Sequence, residues 1–173
     1  SSYGGPDALN ALGLKLTYGQ SARNQQRSEW LVANYKEVLG IDIALDPIDS
    51  TTFTAITKDP ATFPLLARQG WCADYPDPQN WLSVYWRTGG FGERIGYSNA
   101  DFDALVNEAD TTVDPAKRAE LYAQAQTLLT DGAPVAFAWN NVNNYLIKPW
   151  VKGVVKTPQD SGWSGIQDPI TID

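Results

Sequence analysis

The run "LKLTYG" alternates, with Leu14, Leu16 and Tyr18 on one side and Lys15 and Thr17 on the other, the two-residue period of a strand. From about Asn24 to Leu39 the period changes. Trp30, Leu31, Asn34, Tyr35, Val38 and Leu39 fall at helical spacing on one face, and Gly40 stands where a C-cap glycine belongs. Alternation returns in "IDIALDPI", where Ile41, Ile43 and Leu45 oppose Asp42, Ala44 and Asp46, and Pro47 closes the run. Strand, helix and strand within about 35 residues predict a βαβ unit with a right-handed crossover. A short helix is expected from Thr51 to about Lys58, then a third strand in "FPLLARQGW".

Beyond that strand, Asp77-Pro78 reads as an N-cap followed by proline at the first helical position. The helix it opens would carry Trp81, Leu82, Tyr85 and Trp86, with Trp81 and Trp86 turned to the core. "RTGGFGERIGY" is a glycine-rich loop. Ser98 and Asp101 make an S-x-x-D start signal for a helix whose inner face is Phe102, Leu105, Val106 and Ala109. Asp114-Pro115 opens the longest helix, with Leu121, Tyr122, Ala125, Leu128 and Leu129 on its face and Gly132 closing it. "PVAFAWNN" and "NYLIKPW" are late strand-like runs. Residues 1–13 read as a connector. The tail from Val154 is rich in Gly, Pro and Asp, with scattered Trp163, Ile166 and Ile170. This order of elements predicts an α/β domain on a mostly parallel sheet flanked by helices. Ligands of such sheets collect outside the carboxyl ends of the strands, which is where "WCADYPDP" falls.

Composition narrows the chemistry. The chain has 173 residues, 43% of them hydrophobic, enough to bury the core of one ordinary domain. A formal charge of −7 with no clustered Lys or Arg argues against nucleic acid. There is no His, which removes the commonest general base, the Ser–His and Cys–His dyads and the commonest transition-metal ligand. No run of about 18 apolar residues is present to span a membrane. With neither a Met nor a signal peptide, the chain is expected to be a processed product or an excised piece of something longer.

The stretch "GWCADYPDPQNW", from Gly70 to Trp81, concentrates the candidates. Asp77 reads as the helix cap. Asp74 has no such job; flanked by aromatics, its carboxylate either attracts a cationic ligand or satisfies the loop by a hydrogen bond. Trp71 either walls a pocket or plugs the core. Cys72, the single cysteine, reads as a small buried hydrophobe or as one half of a pair with something outside this chain. Trp139, Asn140 and Asn141 end a late strand with flat aromatic and amide groups, suited to peptide or sugar binding, although Asn pairs also suit plain turns. The glycine loop lacks the strand-to-helix context and the Lys-Ser/Thr ending of a nucleotide fingerprint. Asp74 and Asp77 are too few for a calcium loop, and nothing supplies the second carboxylate of a glycosidase pair. No cofactor, no metal and no catalytic residue is therefore expected.

"GWCADYPDPQNW" resembles the signature segment of the family 5 extracytoplasmic solute-binding proteins, the oligopeptide- and dipeptide-binding components of ABC importers. Gly70, Trp71, Asp74, Asp77, Pro78, Asn80 and Trp81 meet its pattern, and the likeness continues through "GYSNADFDALVNEADTTVDPAKRAELYAQAQTLLTDGAPVAFAWNN". "LKLTYG…LGIDIAL" resembles the family's entry to its C-terminal lobe, and "VKGV" its return. The resemblance implies a lobe of the type II periplasmic-binding-protein fold. Residues 14–153 would be the C-terminal lobe, and 154–173 a tail running back to an N-terminal lobe absent from this chain. It implies a peptide ligand, with oligosaccharide as the runner-up, a membrane permease as partner, and an extracytoplasmic location, periplasmic or lipid-anchored at the cell surface. Asp74 would pair with the ligand's α-amino group, and the backbone of Trp71, Cys72 and Ala73 would line an extended peptide; beside such a pair, the rings of Trp71 and Tyr75 are expected to exclude water. A small α/β enzyme is the contrasting class.

Overall fold

The structure, a computed structural model, describes residues 4–140, 142, 144, 146–154 and 171–172. They fall into two compact units, one formed by the chain up to Gly70 with Arg94–Gly96, the other by Trp71–Glu93 and the chain from Tyr97 onward.

In the first unit the expected connector is partly folded: Gly5–Asn10 forms a short helix, α1, with Pro6 in its first turn. Asn10 explains why. Its side-chain N–H donates to the Gly40 carbonyl at 2.9 Å and its oxygen accepts the Asp42 N–H at 2.7 Å, contacts thirty or more residues away that local composition cannot reveal. The strand β1, Lys15–Gly19, follows. The helix α2, Ala22–Asn34, is capped by Ser21, whose hydroxyl accepts from the Asn24 N–H. It runs on through a π turn, Tyr35–Leu39, and ends at Gly40, whose φ of 70° is the left-handed conformation that glycine adopts without strain.

The inward face of this helix differs from the expected stripe. Ser28 is fully buried, whereas Trp30, Val38 and Leu39 are 59%, 74% and 48% exposed. A small side chain lets the helix backbone approach its neighbours closely, and the extra residue of the π turn rotates positions 35–39 off the earlier register.

Strand β2 is Ala44–Ile48 and pairs in parallel with β1, placing Pro47 opposite Tyr18. Pro47 thus sits inside the strand rather than ending it, and Ile41 and Ile43 precede the strand. An edge strand tolerates a residue with no N–H to donate. The helix α3, Ser50–Ile56, is capped by Asp49, which accepts from the Thr51 and Thr52 N–H groups. The third strand, β3, is only Leu66–Ala67, parallel to β1 on its other side. Sheet order β2-β1-β3 makes β1 central. For that reason Leu16 through Gly19 are all buried, where alternation alone had put Thr17 outside.

The second unit is helical in its main part. Asp77-Pro78 opens a helix as expected, but it breaks at Leu82 into two single turns, α4, Pro78–Trp81, and α5, Ser83–Trp86. The break separates the two tryptophans: Trp86 is 7% exposed, Trp81 is 39% exposed and not in the core. A 3-10 turn, Phe91–Ile95, occupies the glycine-rich loop. A Cβ added at Gly92 would stand 2.9 Å from the Trp86 ring, so glycine permits that close approach.

The helix α6, Ala100–Thr111, is capped by Asn99, which accepts from the Asp101 and Phe102 N–H groups. Ser98, the expected cap, instead shares a hydrogen bond with Thr88. The helix α7, Pro115–Gly132, is capped by Asp114. Its closing residue is Ala133, left-handed at φ 42°, rather than Gly132. Phe102, Val106 and Ala109 of α6 and Leu121, Tyr122, Ala125 and Leu129 of α7 form the core, while Leu128 is 36% exposed.

The runs "PVAFAWNN" and "NYLIKPW" form no strand among the described residues. β-branched and aromatic residues favour a strand only where a neighbour presents an edge to pair with. The described strands here are β4, Val151–Lys152, and β5, Thr171–Ile172, an antiparallel pair. Trp163, Ile166, Ile170 and Asn141 lie outside the described residues. No helix among the described residues is long and apolar enough to cross a membrane.

Candidate functional site

Asp74 sits in the turn that opens the second unit, and one buried side chain organises that turn. Asn80, on α4, is 1% exposed. Its oxygen accepts the Trp71 indole N–H at 2.9 Å and the Asp74 backbone N–H at 3.2 Å, and its N–H donates to Asp74 Oδ2 at 3.1 Å. Of the two alternatives for Asp74, the loop hydrogen bond is made, and the side chain stays exposed.

Trp71 is half-buried, its ring centroid 5.1 Å from Tyr85 in an edge-on arrangement and 4.8 Å from Phe91. With the indole nitrogen held by Asn80, the ring is fixed on two sides. Tyr85 continues to Trp86 at 4.8 Å, and Trp86 to Tyr97 at 5.4 Å. Ala73 is buried at 7%. Its neighbour Cys72 is a free thiol and exposed, not the buried hydrophobe expected. The Tyr75 hydroxyl donates to Gln79 Oε1, and the ring is 39% exposed.

The anchor of α4 lies elsewhere. Asp77 caps it, Oδ1 accepting the Gln79 N–H at 2.8 Å. The same carboxylate receives Arg118 of α7 on both oxygens, at 3.0 and 2.8 Å. The hydrogen bond from Arg118 holds the Asp77 carboxyl below its usual range. Arg118 also donates to the Tyr122 hydroxyl, which donates to Asp110, which accepts from Ser83 as well. Burial, then Asp110, pushes the Tyr122 phenol up to about 12. The sequence identified the cap but not Arg118, which is 41 residues away.

Trp139 and Asn140 stand exposed in the irregular run that follows Phe137, whose ring is 6.0 Å from Trp86.

The first unit holds a candidate that sequence reasoning missed. Arg68 follows β3, and its backbone N–H donates to the Thr17 carbonyl in the middle of β1. Its side chain donates to Asn24, yet its Nε is buried with no hydrogen-bond partner. Burial, then the Arg27 charge, pushes the guanidinium below its usual value. A half-desolvated guanidinium with a spare donor suits an anion such as a carboxylate. Its signal in the sequence was a single cation at the carboxyl end of a strand, too common to single out. Among the described residues no group of three or more acidic, Cys or His side chains could hold a metal.

No family model matches the chain. Curated relatives do. The periplasmic oligopeptide-binding protein OppA of Salmonella typhimurium is 31% identical over 147 residues, 84% of this chain and 26% of that protein. The solved structure of the Escherichia coli murein tripeptide binding protein MppA superposes with a TM-score of 0.71 at 26% identity, covering 86% of this chain and 30% of that one. Haemophilus influenzae OppA, in complex with RPPGFSPFR, gives a TM-score of 0.72 at 26% identity, covering 83% and 28%. The chain thus spans between a quarter and a third of the length of each of these three proteins. Its α/β fold, a parallel sheet flanked by helices, is that of periplasmic binding proteins.

Proposed function

We propose, for a chain that is a relative of the family 5 extracytoplasmic solute-binding proteins, the role of a lobe that captures peptides for an ABC importer. Residues 14–153 are the C-terminal lobe of a two-lobe protein, and the tail from residue 154 returns to the N-terminal lobe. The ligand is held in the cleft between lobes and passed to a membrane permease. The protein works outside the cytoplasm, in the periplasm or on a lipid anchor, and it performs no chemistry on its ligand.

One observation carries this reading: an exposed carboxylate, Asp74, held in place by a buried amide beside a fixed indole. The α-ammonium is the charge every unmodified peptide shares. A carrier of many sequences gains by anchoring that group and leaving side chains loosely held. Asp74 is the anchor. The backbone of Trp71, Cys72 and Ala73 lines the extended peptide, and the rings of Trp71 and Tyr75 keep water from the charge pair once the lobes close. Trp139, Asn140 and Asn141 supply flat apolar and amide contacts further along. That solved relatives include a tripeptide-binding protein and a complex with RPPGFSPFR supports a peptide over a sugar.

Truncating one partner of a buried charge pair costs about 2–5 kcal/mol, or roughly thirtyfold and upward in affinity. Asp74→Asn in the two-lobe protein is therefore expected to weaken binding of free peptides at least about thirtyfold while the fold persists. N-acetylation of the peptide should cost a similar amount, and little more in the variant, because both changes delete one pair. Calorimetry with free and acetylated peptide decides it. Normal binding by the Asn variant means that no ammonium sits at this site, and an uncharged ligand on the aromatic rings becomes the better reading.

A further inference from the structure

We infer that Asn80 is a positioning residue for peptide capture, setting the direction of the Asp74 carboxylate without touching the ligand. The inference rests on the reading of Asp74 as the ammonium anchor. Three described hydrogen bonds of the Asn80 side chain all return to the same turn: two are accepted by its oxygen, from the Trp71 indole and the Asp74 backbone, and one is donated to Asp74 Oδ2. At 1% exposure the amide is closed off from a ligand, so its effect reaches the ligand through those partners.

The arrangement solves a problem that an exposed carboxylate poses. An aspartate in a solvated turn has two free torsions, and fixing them at the moment of binding costs entropy that subtracts from affinity. Here the cost is met in folding. The backbone N–H of Asp74 and one carboxylate oxygen are held by a single planar amide, which fixes the start and the end of the side chain together. The same amide oxygen holds the indole, so the carboxylate and the ring beside it keep a constant relation.

The support continues outward. Asn80 lies in α4, the cap of α4 is Asp77, and Asp77 is clamped on both oxygens by Arg118 of α7. The aim of the carboxylate is thereby tied to the longest helix of the unit. An amide suits the post better than a carboxylate, because it offers both an acceptor for two N–H groups and a donor for Asp74.

The test is made in the two-lobe protein with trialanine and N-acetyl-trialanine as probes. Asn80→Ala is expected to weaken trialanine about tenfold, the scale of one lost hydrogen bond to a charged group, while the acetylated probe changes little. A merely structural role would weaken both probes alike, leaving their ratio unchanged, and that result overturns the inference. In an Asp74→Asn background the Asn80 substitution should have no further effect on trialanine; an additive loss overturns it too. Should Asn80→Ala fail to fold, Asn80→Leu keeps the branched four-atom shape without the hydrogen bonds and carries the same measurement. The two readings fail separately. If Asp74→Asn leaves the ratio of the probes untouched, the anchor and this inference fall together. If it collapses the ratio and Asn80→Ala does not, only the positioning role is lost.

Discussion

The Asp77 carboxylate serves two partners at once, the Gln79 N–H as a helix cap and Arg118 as a two-pronged ion pair. Replacing it with Ala removes the cap, worth about 0.5–2 kcal/mol, and strands the guanidinium, so the loss should lie near the upper end. Denaturant melts of Asp77→Ala measure it. The pH dependence has a definite sign. Arg118 lowers the folded carboxyl below its unfolded value of about 3.9. The stabilisation is therefore present above about pH 4 and lost as pH falls through the folded value. Asp77→Asn should flatten that acid limb, and a variant with an unchanged limb contradicts the pairing. At this scale much was legible: Asp-Pro announces a cap because the two residues satisfy and pre-organise adjacent positions. Arg118 was not, since a bridge between residues 41 apart leaves no local trace.

Between elements, Tyr122 ties α7 to α6 and α5. Its hydroxyl donates to Asp110, which also accepts from Ser83. Tyr122→Phe should lower stability by about 1 kcal/mol, because the half-buried Asp110 and Arg118 each lose a hydrogen bond to the buried hydroxyl. The folded phenol titrates at about 12, above its ordinary value, chiefly because it is buried. Its contribution is complete below about pH 10, the unfolded value, and is lost as pH rises toward the folded one. Thermal melts at neutral and alkaline pH should show Phe at this position reducing the alkaline loss. Elements with strong local signals were read correctly in kind: β1, α2, α3, α6 and α7. Those that depend on neighbours were not. The helix after Pro78 broke at Leu82, the late runs stayed outside any described sheet, and α1 formed where a connector was expected.

At the scale of the whole molecule, two compact units each hold a core of their own, so the chain alone is expected to fold and show a cooperative melt. A cleft buries about 70–90% of a small ligand, and one wall supplies only part of that burial. On the proposed reading of the chain as one lobe of two, the isolated chain should bind trialanine far more weakly than a two-lobe protein, and equal affinity in calorimetry contradicts that reading. Periodicity, Asp-Pro caps and the segment from Gly70 to Trp81 by themselves determined the α/β class, most elements and the place of Asp74, because these depend on residues close along the chain. Only the tertiary structure decided which way each face points. It left Trp30, Val38 and Trp81 exposed, turned Cys72 outward and Ala73 inward, and buried Thr17 in a central strand. It alone showed that Asn80 holds Asp74 and that Arg68 has a buried donor to spare. Burial and hydrogen-bond partnership are properties of a side chain's neighbours in space, and local sequence fixes only the neighbours along the chain.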